Sequence, residues 1–314
     1  MLRVSASPHI RDDLTTRGVM MRVAIALIPV IIASGVIYGW RAPLLFLISA
    51  VACVVFEGLA RIIMKRDQTI GDFSAVVTGL LLAASLPAEC PIWILLIGDF
   101  FAIVFTKQMF GGLGDNFANP AVTGRVILSV SFAGHLAKYS VLAPAASGGV
   151  DLISQATPLA LAKSGAVADL PTTLDLFLGR HAGSIGETCA LALIIGGVYL
   201  ILAGIIDIWA PVTFIGTTIL FVTLTGQDPL VHLFSGALML AAFFMVTDYV
   251  TTPTTILGKI IFGIGAGLLT GLLRVYSSMP EGVSFAILLM NILVPHIERW
   301  TAPKTVGGKQ HAKA

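Results

Sequence analysis

The chain has 314 residues, of which 56% are apolar and only 11% charged, with a formal net charge of +2. Soluble domains carry about a quarter of charged residues, so this composition excludes a soluble globular fold and indicates an integral membrane protein. The small net charge, without a basic run interleaved with aromatics, excludes nucleic-acid binding.

Cys53, Cys90 and Cys189 are too few and too widely separated for a disulfide framework or a four-cysteine metal site. No metal ligand set is expected within the chain, and any iron–sulfur cluster would need partner chains. The six histidines show no paired spacing.

Residues 1–22 hold Arg3, Arg11, Arg17 and Arg22 beside Asp12 and Asp13. They read as a retained cytoplasmic tail, since a signal peptide has a shorter leader and a cleavage site of small residues. Crossing a bilayer as a helix takes ~20 apolar residues, or ~17 at the short end. Val23 to Trp40 and Leu44 to Ile63 qualify, and the basic residues flanking them place both outer flanks of this pair in the cytoplasm. Phe73 to Leu86 is shorter, started by Asp72 as a cap and stopped by Pro87. Such a segment is tilted, packed inside protein, or half of a broken helix. Ile92 to Thr106 returns to the cytoplasm, where Lys107 marks its end.

The stretch from Phe110 to Gly124, with three glycines before Asp115 and the pair Asn119-Pro120, cannot form a regular membrane helix. A re-entrant or unwound segment lining a cavity fits it, because irregular backbone at membrane depth is tolerated only inside protein or against water. A cytoplasmic turn is the alternative. Val122 to Phe132 makes a fifth crossing, with Arg125 near its cytoplasmic end able to snorkel. Residues 135–185 then form the longest polar interval, on the outer side. Within it Thr157-Pro158 reads as the capped start of a short helix reaching Lys163. A phosphate ester on the Thr157 hydroxyl suits the same free N–H groups, and the two readings are compatible.

The second half repeats the count: Glu187 to Ile206, Val212 to Thr225, Val231 to Val246, Ile256 to Val275 and Val283 to Pro295. Arg299, Lys304, Lys309 and Lys313 place the C-terminus in the cytoplasm. The expected organisation is a tail at 1–22, a first transmembrane half at 23–134, an outer loop at 135–185, a second transmembrane half at 186–297 and a tail at 298–314. This is an all-α polytopic membrane protein of about ten segments, some short or broken. An odd number per half makes any repeat an inverted one. The match of Phe73-Ser74 and the apolar run after it with Phe234-Ser235 and its successor supports the repeat, which points to a central site between the halves.

In that site the string from Met245 to Thr255 would be the counterpart of the Asn-Pro stretch, or else a cytoplasmic turn. Asn119, Asp248 and Thr252 are its candidate cavity residues. Ionisable groups inside spans are functional candidates. Asp99, mid-way along the fourth segment, is the stronger candidate for an ion path. Glu57 is the second, with Arg61 one turn later as an alternative helix ion pair. Glu187 and Asp207 read as interfacial.

Asp151-Leu-Ile-Ser-Gln-Ala-Thr157 resembles a flavinylation motif, Asp-x-x-Ser/Thr-Gly-Ala-Thr, in which a flavin transferase joins FMN through its phosphate to the last threonine. Gln155 stands where that motif has glycine. With Gly111-Gly-Leu-Gly, Asn119-Pro-Ala, Phe243 to Asp248, Thr251 to Thr255 and Pro280 to Asn291, nearly the whole chain resembles the D-subunit family of Rnf-type ferredoxin:NAD oxidoreductases. That family is related to the B subunits of the sodium-pumping NADH:quinone reductases.

The resemblance implies a multi-pass subunit of a bacterial or archaeal cytoplasmic membrane, working with the other Rnf subunits (A, B, C, E and G) and matured by a flavin transferase. It implies covalent FMN on Thr157 on the outer side, with Asp151, Ser154 and Ala156 completing the motif, and a second flavin, riboflavin, held without a covalent bond. It also implies electron transfer between ferredoxin and NAD coupled to Na+ or H+ movement. The rival reading is a secondary transporter or channel, whose signature also includes inverted repeats, broken segments and a polar midplane site.

Overall fold

A computed structural model describes residues 15–142, 152–166, 168, 170–277 and 281–303. Among these, four helical spans are long and apolar enough to cross a membrane, Thr16–Tyr38, Arg41–Ile63, Ile256–Tyr276 and Val283–Thr301, and shorter apolar helices pack among them. The protein is a multi-pass membrane protein.

The first span consists of α1 (Thr16–Ala26) and α2 (Ile28–Tyr38), joined at Leu27 and closed by Gly39 in the left-handed region. α3 (Arg41–Ile63) shows how a membrane helix sorts its faces. Leu47, Val51, Val55, Leu59 and Ile63 are exposed at every fourth position. Ser49, Cys53, Glu57 and Arg61, also at every fourth position, are buried. The 3.6-residue period gathers each set on one face, and lipid as the outer solvent puts the polar set inside.

α4 (Ser74–Ala84) resolves the choice left open for the short third segment: nearly all of it is buried inside protein. Asp72 caps it one step out of the expected register, since Phe73 adopts the left-handed conformation and Asp72 accepts from Ser74 N–H at 2.8 Å and Ser74 Oγ–H at 2.5 Å. The free carbonyls beyond its C-terminus are met by a distant loop. Gly186 N–H donates to Ala84 C=O at 2.8 Å and Ile185 N–H to Leu86 C=O at 2.9 Å.

α5 (Ile92–Phe100) continues as a π-helical stretch over Phe101–Gln108, a rare geometry that is frequent at functional sites. Irregular chain follows, in which Gly111, Gly112 and Gly114 take φ of 138°, 113° and 103°, angles that other residues rarely adopt. It ends at Asn119, whose side chain caps α6 (Pro120–Ser131) by accepting from Ala121 N–H at 3.0 Å.

Next come α7 (Ala133–Leu136) and a small departure from the all-helical expectation. β1 (Ser140–Leu142) pairs antiparallel with β2 (Leu152–Ser154), Ser140 opposite Ser154. α8 (Pro158–Ser164) and α9 (Thr173–Leu178) complete the polar interval.

In the second half, the crossing expected from Glu187 begins only at α10 (Ala190–Leu202), followed by α11 (Trp209–Leu224). The expected continuous segment from Val231 to Val246 is instead broken. α12 (Pro229–Phe234) stops at Ser235, Gly236 turns with φ 66°, and α13 (Leu238–Leu240) runs into a π-helical stretch at Ala241–Met245. Glycine permits this turn, and periodicity alone does not reveal it. α14 (Ile256–Tyr276) and α15 (Val283–Thr301) close the chain. α10 packs on α1 and α2, and α15 packs on α6.

Candidate functional site: a cavity at Thr157 and a polar layer between the halves

Thr157 is the N-cap of α8. Its hydroxyl accepts from Ala160 N–H at 3.3 Å, and the residue is 6% exposed. Pro158 at the first helical position loses no hydrogen bond, and the Gln155 N–H fastens the preceding turn to Tyr139 C=O at 2.9 Å. Lys163, near the other end of α8, donates to Ser277 C=O just past α14, so the helix is tied to the second half.

The buried threonine lies on the wall of a cavity of about 440 Å³, shared with Ala156, Arg125, Tyr139, Glu281 and Phe285. Ligand pockets run from ~300 to 1,000 Å³, so this one has room for a flavin. Asp151 lies outside the described residues. Ser154 is placed by its backbone, in β2.

Three polar residues of this cavity escape the sequence motif. Arg125, expected to snorkel toward the cytoplasm, is instead 7% exposed and turned into the protein. Its Nη2 lies 3.4 Å from Glu281 Oε2 and 3.5 Å from Tyr139 Oη, and its Nη1 has no partner. Tyr139 Oη–H donates to the same Glu281 oxygen at 2.5 Å. Burial, together with the adjacent Glu281, holds the Tyr139 phenol well above its ordinary pKa, which keeps it a donor. Arg125 inside an apolar segment was the only sequence signal for this cluster. Its acidic partner lies 156 residues away. Glu187, expected at an interface, is also buried, at 3% exposure, and accepts from Ser184 N–H at 2.9 Å.

The two irregular stretches meet at Asn291, the last residue of the Pro280 to Asn291 string, which is not among the candidate site residues. Oriented by its hydrogen-bond network, the Asn291 amide, half-way along α15, accepts from Asn119 N–H at 3.0 Å and donates to Thr251 C=O at 3.1 Å. Thr251 Oγ–H in turn donates to Asp248 at 2.8 Å, and Thr252 Oγ–H to Val246 C=O at 2.7 Å. Asn119 and Asp248 line a cavity of about 80 Å³ between the halves, with Ser74 and Lys107 on the same wall.

Behind that wall the expected Glu57–Arg61 helix pair is absent. Glu57 faces Lys107 at 2.9 Å and accepts from Gln108 Nε2 at 2.7 Å and from Thr69 at 3.2 Å. Arg61 turns to Asp67 C=O at 2.7 Å. The π-helical end of the α5 segment decides this, by bringing Lys107 and Gln108 onto α3. Deeper along the same face of α3, Asp99 is fully buried and accepts from Ser49 Oγ–H at 2.6 Å and Cys53 Sγ–H at 3.3 Å. Asp99 Oδ2 and Glu57 Oε2 have no partner. Asp207, by contrast, is an exposed ion-pair partner of Lys259.

Residues 3–307 match the model of the NQR2, RnfD, RnfE family. The chain belongs to that family. Over its whole length it is 46% identical to the D subunit of the Na+-translocating ferredoxin:NAD+ oxidoreductase complex of Acetobacterium woodii, covering 98% of that protein. It is 39% identical to the D subunit of the proton-translocating ferredoxin:NAD+ oxidoreductase complex of Clostridium ljungdahlii, with 98% of this chain and 96% of that one aligned. The D subunit of an ion-translocating oxidoreductase complex of Erwinia tasmaniensis is 35% identical over 98% of this chain and 99% of its own. For this family member the similarity thus spans both helical halves and the cavity between residues 125 and 285.

Proposed function

We propose that this protein is the membrane subunit of an Rnf-type complex that couples electron transfer between ferredoxin and NAD+ to translocation of Na+ or H+, and that it carries FMN as a phosphate ester on Thr157. The observation that carries this reading is the Thr157 hydroxyl on the wall of a cavity of flavin size, at the last position of a flavinylation-like sequence. The full-length similarity to Rnf D subunits supports it. When bound, the flavin supplies the electron chemistry, and the protein supplies position and electrostatics. Thr157 would hold the phosphate, Tyr139 and Arg125 would line the ring's cavity, and the α8 ties to Tyr139 and Ser277 would keep the attachment point from moving.

By positive-inside bias the Thr157 cavity faces outward and both termini lie in the cytoplasm. The halves are two inverted five-segment repeats, a reading supported by the packing of α10 on α1 and α2 and of α15 on α6. Asp99 and Glu57 serve the ion path, supported by the unpartnered oxygen that each keeps inside the protein. Ion identity is open between the two relatives, one named for sodium and one for protons. The remaining Rnf subunits are the electron partners, and a flavin transferase matures the chain.

The test is direct. The purified chain from cells with the transferase is run on a denaturing gel, and the Thr157 peptide is weighed. An in-gel flavin band and a mass increase of FMN less one water are expected. A dark band with an unmodified peptide favours the second reading, a transporter-like protein, which the meeting of two irregular stretches at Asn291 also fits.

A further inference from the structure

Resting on the assignment of FMN to Thr157, we propose that Arg125 is the positioning residue that sets the reduction potential of that flavin, with Glu281 as its electrostatic counterweight. Arg125 is a guanidinium taken out of water on α6, and its side chain and that of Glu281 are 9% and 15% exposed. A buried ion pair used only to tie α6 to the start of α15 would spend its donors on the carboxylate, since two parallel bonds are the preferred geometry. Here one nitrogen makes a long contact of 3.4 Å to a Glu281 oxygen already taken by Tyr139 at 2.5 Å, and Arg125 Nη1 is left without a partner. An unmet charged donor inside a protein is costly. Both Arg125 and Glu281 stand on the wall of the 440 Å³ cavity that also holds Thr157. The Arg125 guanidinium therefore stands at the cavity with its charge only partly compensated by hydrogen bonds.

The sign of the effect follows from charge alone. Uptake of two electrons and one proton leaves a flavin ring one unit more negative than before. A fixed cation within a few ångströms, in surroundings of lower dielectric than water, favours that reduced ring. A carboxylate at the same wall opposes it. Arg125 therefore raises the potential, and Glu281 lowers it. Phe285, one turn after Glu281, adds apolar surface to the same cavity wall.

The experiment is a potentiometric titration with dithionite of the purified complex in three variants, Arg125→Gln, Arg125→Lys and Glu281→Gln, beside the unaltered protein. The Thr157 flavin is isolated by difference from a Thr157→Val complex. Attachment is checked separately by in-gel fluorescence and the mass of the Thr157 peptide. Arg125→Gln is expected to disfavour reduction at least tenfold, about 30 mV for a two-electron couple. Arg125→Lys recovers most of that loss, and Glu281→Gln shifts the potential the other way. A merely structural tie would move stability without these opposite signs. Flavin attached with an unchanged potential in both Arg125→Gln and Glu281→Gln overturns the proposal. If Arg125→Gln does not accumulate, Glu281→Gln decides, and an unchanged or lowered potential rejects it. An unmodified Thr157 in the unaltered protein rejects the FMN assignment itself, and this proposal with it.

Discussion

The two polar regions of the molecule leave different buried atoms without partners. At the Thr157 cavity the unmet charged atom is a donor, Arg125 Nη1, beside about 440 Å³ of space. In the first half the unmet carboxylate atoms are acceptors, Glu57 Oε2 and Asp99 Oδ2. The neighbouring inter-half cavity is smaller, at about 80 Å³, and is lined by Lys107 but by neither of those carboxylates. A guanidinium beside a large cavity suits an electron-rich group, whereas buried carboxylate oxygens suit a small cation or a proton.

Four experiments break or sharpen that contrast. Thr157→Val has the largest effect: the covalent flavin disappears from the gel, and electron transfer between ferredoxin and NAD+ through the complex falls with it. The fold survives, because a lost helix cap costs about 1 kcal/mol. Unchanged electron transfer in that variant would reduce Thr157 to a cap.

Asp99→Asn keeps the size of the side chain and its Ser49 partner but removes the charge. Electron transfer is expected to continue while ion uptake into proteoliposomes drops severalfold, and equal uptake per electron would remove Asp99 from the ion path. Lys107→Met leaves Glu57 buried without its cation, a loss of about 3–5 kcal/mol by analogy with broken buried pairs. It should appear as a lowered melting temperature in detergent, and Glu57→Gln added to it should restore part of the loss. Stability equal in all three proteins would mean that the pair adds nothing to the fold. The smallest effect belongs to Gln155→Gly, at an exposed position whose backbone, not side chain, bonds to Tyr139. Faster flavin incorporation in a time course, with unchanged melting, is expected. An unchanged rate would show that the transferase ignores this side chain.

Much of this was legible in the residues, and the parts that were not have a common cause. Hydropathy located the four long spans, because a bilayer demands a continuous apolar length, but not the break at Ser235 and Gly236. Thr157 could be read as a helix cap because capping is local: Pro158 and the residues around it are neighbours in the chain. The Asn-Pro stretch could be read as irregular because glycine and proline act on their own backbone.

Arg125 was misplaced for the opposite reason. Its partners Tyr139 and Glu281 lie 14 and 156 positions away, and nothing in the chain order links them. Glu57 was given the wrong cation because Arg61 is its neighbour on an ideal helix, while a π-helical stretch brings in Lys107 from another segment. Asn291 went unchosen because its amide matters only where Asn119 and Thr251 reach it.

The sequence by itself therefore determined that this is a polytopic helical membrane protein with a helix-capping threonine on a polar loop, since lipid burial, capping and turn chemistry are properties of contiguous residues. Only the tertiary structure decided which buried charges face each other, which donor is left over at the Thr157 cavity and which acceptors are left over beside Lys107. Pairing in a low-dielectric interior depends on distance in space, and that distance is set by how the two halves pack.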